Sequence, residues 1–201
     1  MNRCSSKTGC GVSKEKWHDI VVKGDWVVSE KNFLCRDLVV EGDFVLIGDI
    51  FCRDINIQGN CTIYGSIYSC RNVNVQGNLC TYMISEDDPM SGGCFFPTGD
   101  VEIGENLVCD LRIRAGRQKI KVGADLLTRD VECGKLCVAG DCVLWPGTIM
   151  TLEAVYVLGN VTTGYPVCSS KVFCGGKYMR KIHWMDDLEE NVEIHENCEN
   201  W

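Results

Sequence analysis

The run Leu38-Val39-Val40-Glu41-Gly42-Asp43, Phe44-Val45-Leu46-Ile47-Gly48-Asp49, Ile50-Phe51-Cys52-Arg53-Asp54 decides the fold. It is three short units in succession. Ile55 to Asn60, Cys61 to Ser66 and Ile67 to Asn72 repeat it, and Ile20 to Asp25, Trp26 to Lys31 and Asn32 to Asp37 precede it. Three units make a larger cycle that closes on Cys-Arg-Asp or Cys-Arg-Asn. A repeat of this length cannot bury an apolar face alone, so it must stack on its neighbours.

The commonest unit reads apolar, any, apolar, any, Gly, Asp or Asn. Side chains alternate faces along an extended strand, so positions one and three point the same way. Glycine tolerates positive φ, and Asp and Asn bond nearby backbone, which is turn chemistry. Each unit is therefore a very short strand and a corner. Three of each return the chain above its start, which predicts an all-β, three-sided parallel β-solenoid with coils roughly 4.8 Å apart.

The glycines count the coils. Gly24, Gly42, Gly59 and Gly77 are spaced by 18, 17 and 18, and Gly123, Gly140 and Gly159 by 17 and 19. About eight coils result, spanning residues 20–163. The phase breaks over 81–98, where Ser85-Glu86-Asp87-Asp88-Pro89 and Ser91-Gly92-Gly93 read as a loop bulging from one corner. A β-sandwich of short strands would not hold Gly-Asp/Asn in fixed phase over successive cycles. Leu38, Ile50, Ile55, Ile57, Ile63, Ile67, Val73 and Val75 are the expected core.

Residues 1–19 form a polar N-terminal tail, and 164–201 a C-terminal cap. Within the cap Tyr178, Ile182, Met185, Leu188 and Val192 fall at three- and four-residue intervals, which predicts an amphipathic helix. Solenoids expose strand edges at both ends, and such caps protect them.

The 201 residues carry a net charge of −8, which argues against a nucleic-acid partner, since that needs a basic stripe. No apolar run approaches a membrane span. No apolar stretch of signal-peptide type follows Met1, so the expected address is the cytoplasm. The 15 cysteines are an odd number and cannot all pair internally. Cys61 and Cys142 take core positions. Cys35, Cys52 and Cys70 share one corner and should stack as a ladder of small buried thiols. The segments Cys4 to Gly11 and Cys168 to Gly175 resemble one another, but five residues separate the cysteines of each pair, wider than zinc sites use. No metal or cofactor is called for.

Positions two and four face outward. On the first side Asn56/Gln58 and Asn74/Gln76 should form amide ladders. On the second side Val27, Val45, Ile47, Thr62, Tyr64, Val143 and Trp145 make an apolar stripe. An exposed stripe of that length is either covered or an interface, and Phe95-Phe96-Pro97 of the insertion is one candidate cover.

The run Val40-Glu41-Gly42-Asp43, Gly48-Asp49-Ile50, Ile57-Gln58-Gly59-Asn60, Tyr64-Gly65-Ser66-Ile67, Val75-Gln76-Gly77-Asn78 resembles a bactofilin domain, from a family of polymer-forming bacterial cytoskeletal proteins. The resemblance centres on residues 38–78. It implies a right-handed triangular β-helix that polymerises end to end without nucleotide. This chain departs from the family in its corner insertion, its many thiols and its aromatic C-terminal segment, which would cap one end.

Enzymes on similar coils need groups this sequence does not place there. Hexapeptide acyltransferases use a coil imidazole as general base, whereas His18, His183 and His195 lie outside the expected coils. Polysaccharide-cleaving β-helices need clustered carboxylates or calcium, and turn roles account for Asp25, Asp43, Asp49 and Asp141. The expectation is a non-enzymatic, self-associating structural protein. Its contacts are Ile20, Val22, Trp26 and Val28 at the N-terminal coil, and Val45, Ile47, Tyr64, Val143 and Trp145 along the apolar side. A ligand- or glycan-binding module presenting the Asn56/Gln58/Asn74/Gln76 strip is the alternative.

Overall fold

The computed structural model describes residues 17–68, 71–84, 92–180 and 188–189. Apart from Leu188–Glu189, its strands pair in parallel, those of the inner coils with the strand one coil earlier and one coil later. They form a β-solenoid of about eight turns, and no helix occurs among the described residues.

Three columns of strands make three faces. The first runs through Ile20–Val22, Asp37–Val40, Asp54–Ile57, Asn72–Val75, Val101–Ile103 and Lys119–Val122. It then continues through the C-terminal parts of Leu126–Val138 and Ile149–Val157 to Val172–Cys174. The second stacks Trp26, Phe44, Cys61, Leu79, Leu107, Leu126, Cys142, Val161 and Tyr178 in register. The third stacks Phe33, Ile50, Ile67, Phe95, Ile113, Val131 and Ile149, and a bridge from Met150 to Cys168 extends it. Every expected core residue from Leu38 to Val75 is at most 2 % exposed, and the core is one continuous cluster along the rod.

The corner between the first and second faces is an unbroken ladder. Asp25, Asp43, Asn60, Asn78, Asn106, Asp125, Asp141 and Asn160 each accept, through Oδ1, a hydrogen bond from the backbone N–H one coil above, at 2.7–3.1 Å. The last donor is Lys177, so the ladder carries the fold past residue 163.

This ladder changes the reason for the glycines. Gly59 does not have a positive φ. A Cβ on it would lie 2.2 Å from Asp43 Oδ1 and 2.8 Å from the Gly42 carbonyl. Glycine is required there because the acceptor from the coil below passes directly beneath the backbone. Gly24, in the first coil, has φ +85° and open space around the missing Cβ, so it alone in this column fits the turn reading.

Two boundaries move. The insertion is narrower than 81–98. Leu79–Tyr82 and Cys94–Phe96 are regular rungs, so residues 81, 82 and 94–96 belong to the coils. Phe95 is a fully buried core residue and Phe96 stacks on Tyr68, so neither covers the apolar side. The coils also run on to Arg180 rather than ending at Thr163, because Val172–Cys174 and Tyr178–Arg180 continue the first two faces. Tyr178 is thus an inner rung and not the start of a helix. Ile182, Met185 and Val192, the rest of that expected helix, lie outside the described residues. Leu188–Glu189 is a strand, antiparallel to Met179–Arg180.

Candidate interaction surfaces

The two ends of the rod differ. At the N-terminal end Ile20, Val22, Trp26 and Val28 sit on the inner side of the first coil as the last rung of the core. Each is only partly buried, since no coil precedes it among the described residues. Trp26 lies 5.5 Å from both Phe33 and Phe44, edge-on to the first and tilted to the second. Among the described residues, Ile20–Val22 and Trp26–Leu34 pair on one edge only, with the second coil. At the opposite end the last strand of the second face takes an antiparallel partner, which interrupts the parallel stack.

Stacked ion pairs pin the first coils together. Arg36 donates to both carboxylate oxygens of Asp19, and Arg53 repeats the arrangement on Asp37 one coil up. The Arg36 hydrogen bond holds the Asp19 carboxyl below its usual pKa, and Asp19 raises that of Arg36 in turn.

The second face presents the apolar stripe. In register outward stand Val27, Val45, Thr62, Cys80, Val108, Leu127, Val143, Thr162 and Met179, nine rungs without a charge. Ile47, Tyr64, Tyr82 and Trp145 widen it, in a column that Asp110 and Arg129 interrupt. Val27 is 70 % exposed, Ile47 48 %, Tyr64 43 %, Leu127 49 % and Trp145 39 %. Sequence reasoning placed Val45, Ile47, Tyr64, Val143 and Trp145 on one side, and the structure brings them there. It missed Cys80, Val108, Leu127 and Met179, because the insertion and the late coils obscure the six-residue phase in which they would have been recognised.

The other faces are charged or self-satisfied. On the first face Asn56 lies in register with Asn74, and the same column continues into Glu102 and Lys121. Lys121 Nζ donates to Glu102 at 2.8 Å, so an ion pair replaces the amides after two rungs. On the third face Phe51, Tyr68 and Phe96 stack at 4.9 and 5.3 Å with rings 10° and 20° from parallel. The inner ring faces cover one another, so Tyr68 at the centre has both faces occupied, whereas stacking of a sugar needs a free aromatic face. A depression of about 170 Å³ on this face is lined by Arg112, Arg114, Asp130, Glu132, Thr148 and Met150. Its acids are already engaged, Asp130 by the Thr148 N–H at 3.1 Å and Glu132 by Arg114 at 3.5 Å. It is also smaller than usual ligand pockets.

Most of the described thiols read as core, with Cys168 exposed and Cys80 and Cys94 half-buried. Cys61 and Cys142 are buried at the expected inner positions. Cys35 and Cys52 stack with their sulfurs 3.2 Å apart, and Cys70 lies outside the described residues. Packing against the Cys35 thiol, followed by burial, raises the Cys52 pKa. Burial, the largest cause in each, pushes Cys109 up to about 11 and Cys133 to about 12. Raised values mean little thiolate, hence low reactivity. No three metal-ligating side chains converge among the described residues.

Comparison with family models, with curated proteins and with solved structures gives no match. No helix among the described residues is long and apolar enough to cross a membrane.

Proposed function

We propose that the protein is a non-enzymatic, bactofilin-like structural rod that self-associates through its N-terminal coil. The observation that carries this reading is the half-buried rung Ile20, Val22, Trp26 and Val28, set beside strand edges that have no partner among the described residues. Residues 1–16 contribute Met1 and Val12 as their only large apolar side chains besides cysteine, alongside Arg3, Lys7, Lys14 and Lys16. Their chemistry does not match an apolar rung. A second N-terminal coil does, and it also supplies backbone edges to pair with.

At the other end the antiparallel Leu188–Glu189 occupies the outer edge of Met179–Arg180, so the second face there does not offer that edge to a continuing parallel coil. Contact through the N-terminal coils alone is isologous and closes after two copies. The proposal sets the protein in the reducing cytoplasm, where buried thiols such as Cys35 and Cys52 stay reduced. Replacing Val22 and Trp26 by lysine should halve the particle mass in light scattering, with circular dichroism unchanged. An unchanged mass would remove this interface.

A further inference from the structure

We infer that the apolar second face is a lateral interface for a second copy of this chain. The inference rests on the self-association proposed above but concerns a different surface.

Four features point to it. Nine successive outward positions, from Val27 to Met179, carry no charge, whereas the matching columns of the other faces carry Glu102 and Lys121, and Arg114 and Glu132. The neighbouring outward column of this face carries one acid and one base, Asp110 and Arg129, so for a chain of net charge −8 this face sets few like charges against each other when two copies approach. The stripe is bordered along one side by the polar corner of Asp25, Asp43, Asn60, Asn78 and their successors, which gives an apolar centre with a polar rim.

The size suffices. Nine rungs at roughly 4.8 Å span about 38 Å, and four residues of strand are about 13 Å wide, so each rod offers roughly 500 Å² in projection. Two such faces bury roughly 1,000 Å² or more, the lower bound for a specific interface. The shape selects the partner. Rows of Val, Leu and Thr side chains repeat at the coil spacing with grooves between them, and a surface with the same repeat interdigitates along its whole length, as paired sheets do in steric zippers. A second copy has that repeat by construction. Within the stripe only Thr162 is already buried.

The test is a two-by-two design on the full chain, read by sedimentation velocity. Leu127→Glu with Val45→Glu puts carboxylates on the face, and Val22→Lys with Trp26→Lys blocks the N-terminal coil. The expected wild-type particle exceeds two chains. The face variant and the end variant each fall to two, and the combined variant to one. Leu127→Gln with Val45→Gln, a milder change, should weaken association at least tenfold if the charged pair fails to fold. If the face variants retain the wild-type mass while the end variant lowers it, the lateral interface is wrong and the end contact stands. If the face variants reach one chain directly, the end contact is wrong and the lateral one stands. A wild-type particle of one chain at every concentration overturns both, and assigns the stripe to contacts within the chain.

Discussion

Gly59→Ala is the sharpest test of how the corners are built. Gly59 has no left-handed φ, so alanine can adopt its backbone conformation. If backbone freedom were all that mattered, the substitution would stabilise the protein by about 0.4–1 kcal/mol. The structure predicts the opposite sign. The new Cβ would meet Asp43 Oδ1 at 2.2 Å and the Gly42 carbonyl at 2.8 Å. Asp43 must swing away, losing the hydrogen bonds it accepts from the Asn60 backbone at 2.7 Å and from Asn60 Nδ2 at 3.2 Å. At about 1 kcal/mol each that is about 2 kcal/mol. Residual crowding against Gly42 adds about 1 kcal/mol, the low end for overpacking. Gly59→Ala should therefore cost about 3 kcal/mol, or about 6–12 °C in melting temperature for a chain of this size.

A double-mutant cycle isolates the cause. Asp43→Ala removes the same two hydrogen bonds directly and should cost about 2 kcal/mol. In that background Gly59→Ala has only the Gly42 contact left to violate and should cost about 1 kcal/mol. The coupling between the two sites is then about 2 kcal/mol, measured by urea denaturation of the four proteins. Additivity within about 0.5 kcal/mol, or a stabilising Gly59→Ala, would show that the carboxylate beneath the glycine is not what excludes a side chain.

Acid should loosen the first coil before the rest. The Asp19 pKa is lowered by Arg36, so its contribution is fully present above the unfolded carboxylate value of about 3.9 and is lost as pH falls through the lower folded value. Amide exchange of Ile20 to Val22 should therefore accelerate below about pH 4 while the central coils stay protected, and Asp19→Asn should abolish that step. A uniform acid response along the rod would contradict it. Native-state alkylation with iodoacetamide at pH 8 should label exposed Cys168 well ahead of Cys109 and Cys133, whose thiols burial pushes to about 11 and 12. Equal labelling would mean that those two rungs are open to water.

The period was legible in the chain because it is local. Two apolar positions at i and i+2, followed by Gly-Asp or Gly-Asn, recur often enough to predict strand, corner, three faces and core from Leu38 to Val75. The apolar second side was legible for the same reason, since Val45, Ile47 and Tyr64 occupy the outward phase of clean repeats. What failed was whatever depended on contacts between distant residues. Phe95 and Phe96 lie beside a loop sequence, and only stacking on Ile67 and Tyr68 makes them rungs. Tyr178 falls at helical spacing, and only pairing with Val161 makes it strand. The glycines were recognised, but their purpose was not: at Gly59 the decisive atom belongs to Asp43, a full coil earlier. Alternation and turn chemistry act within a few residues and so are written in order along the chain. Where the coils stop and what lies under each corner depend on atoms about 17 residues apart in sequence, as the Asn60–Asp43 hydrogen bond shows, and only the stacked structure brings these together.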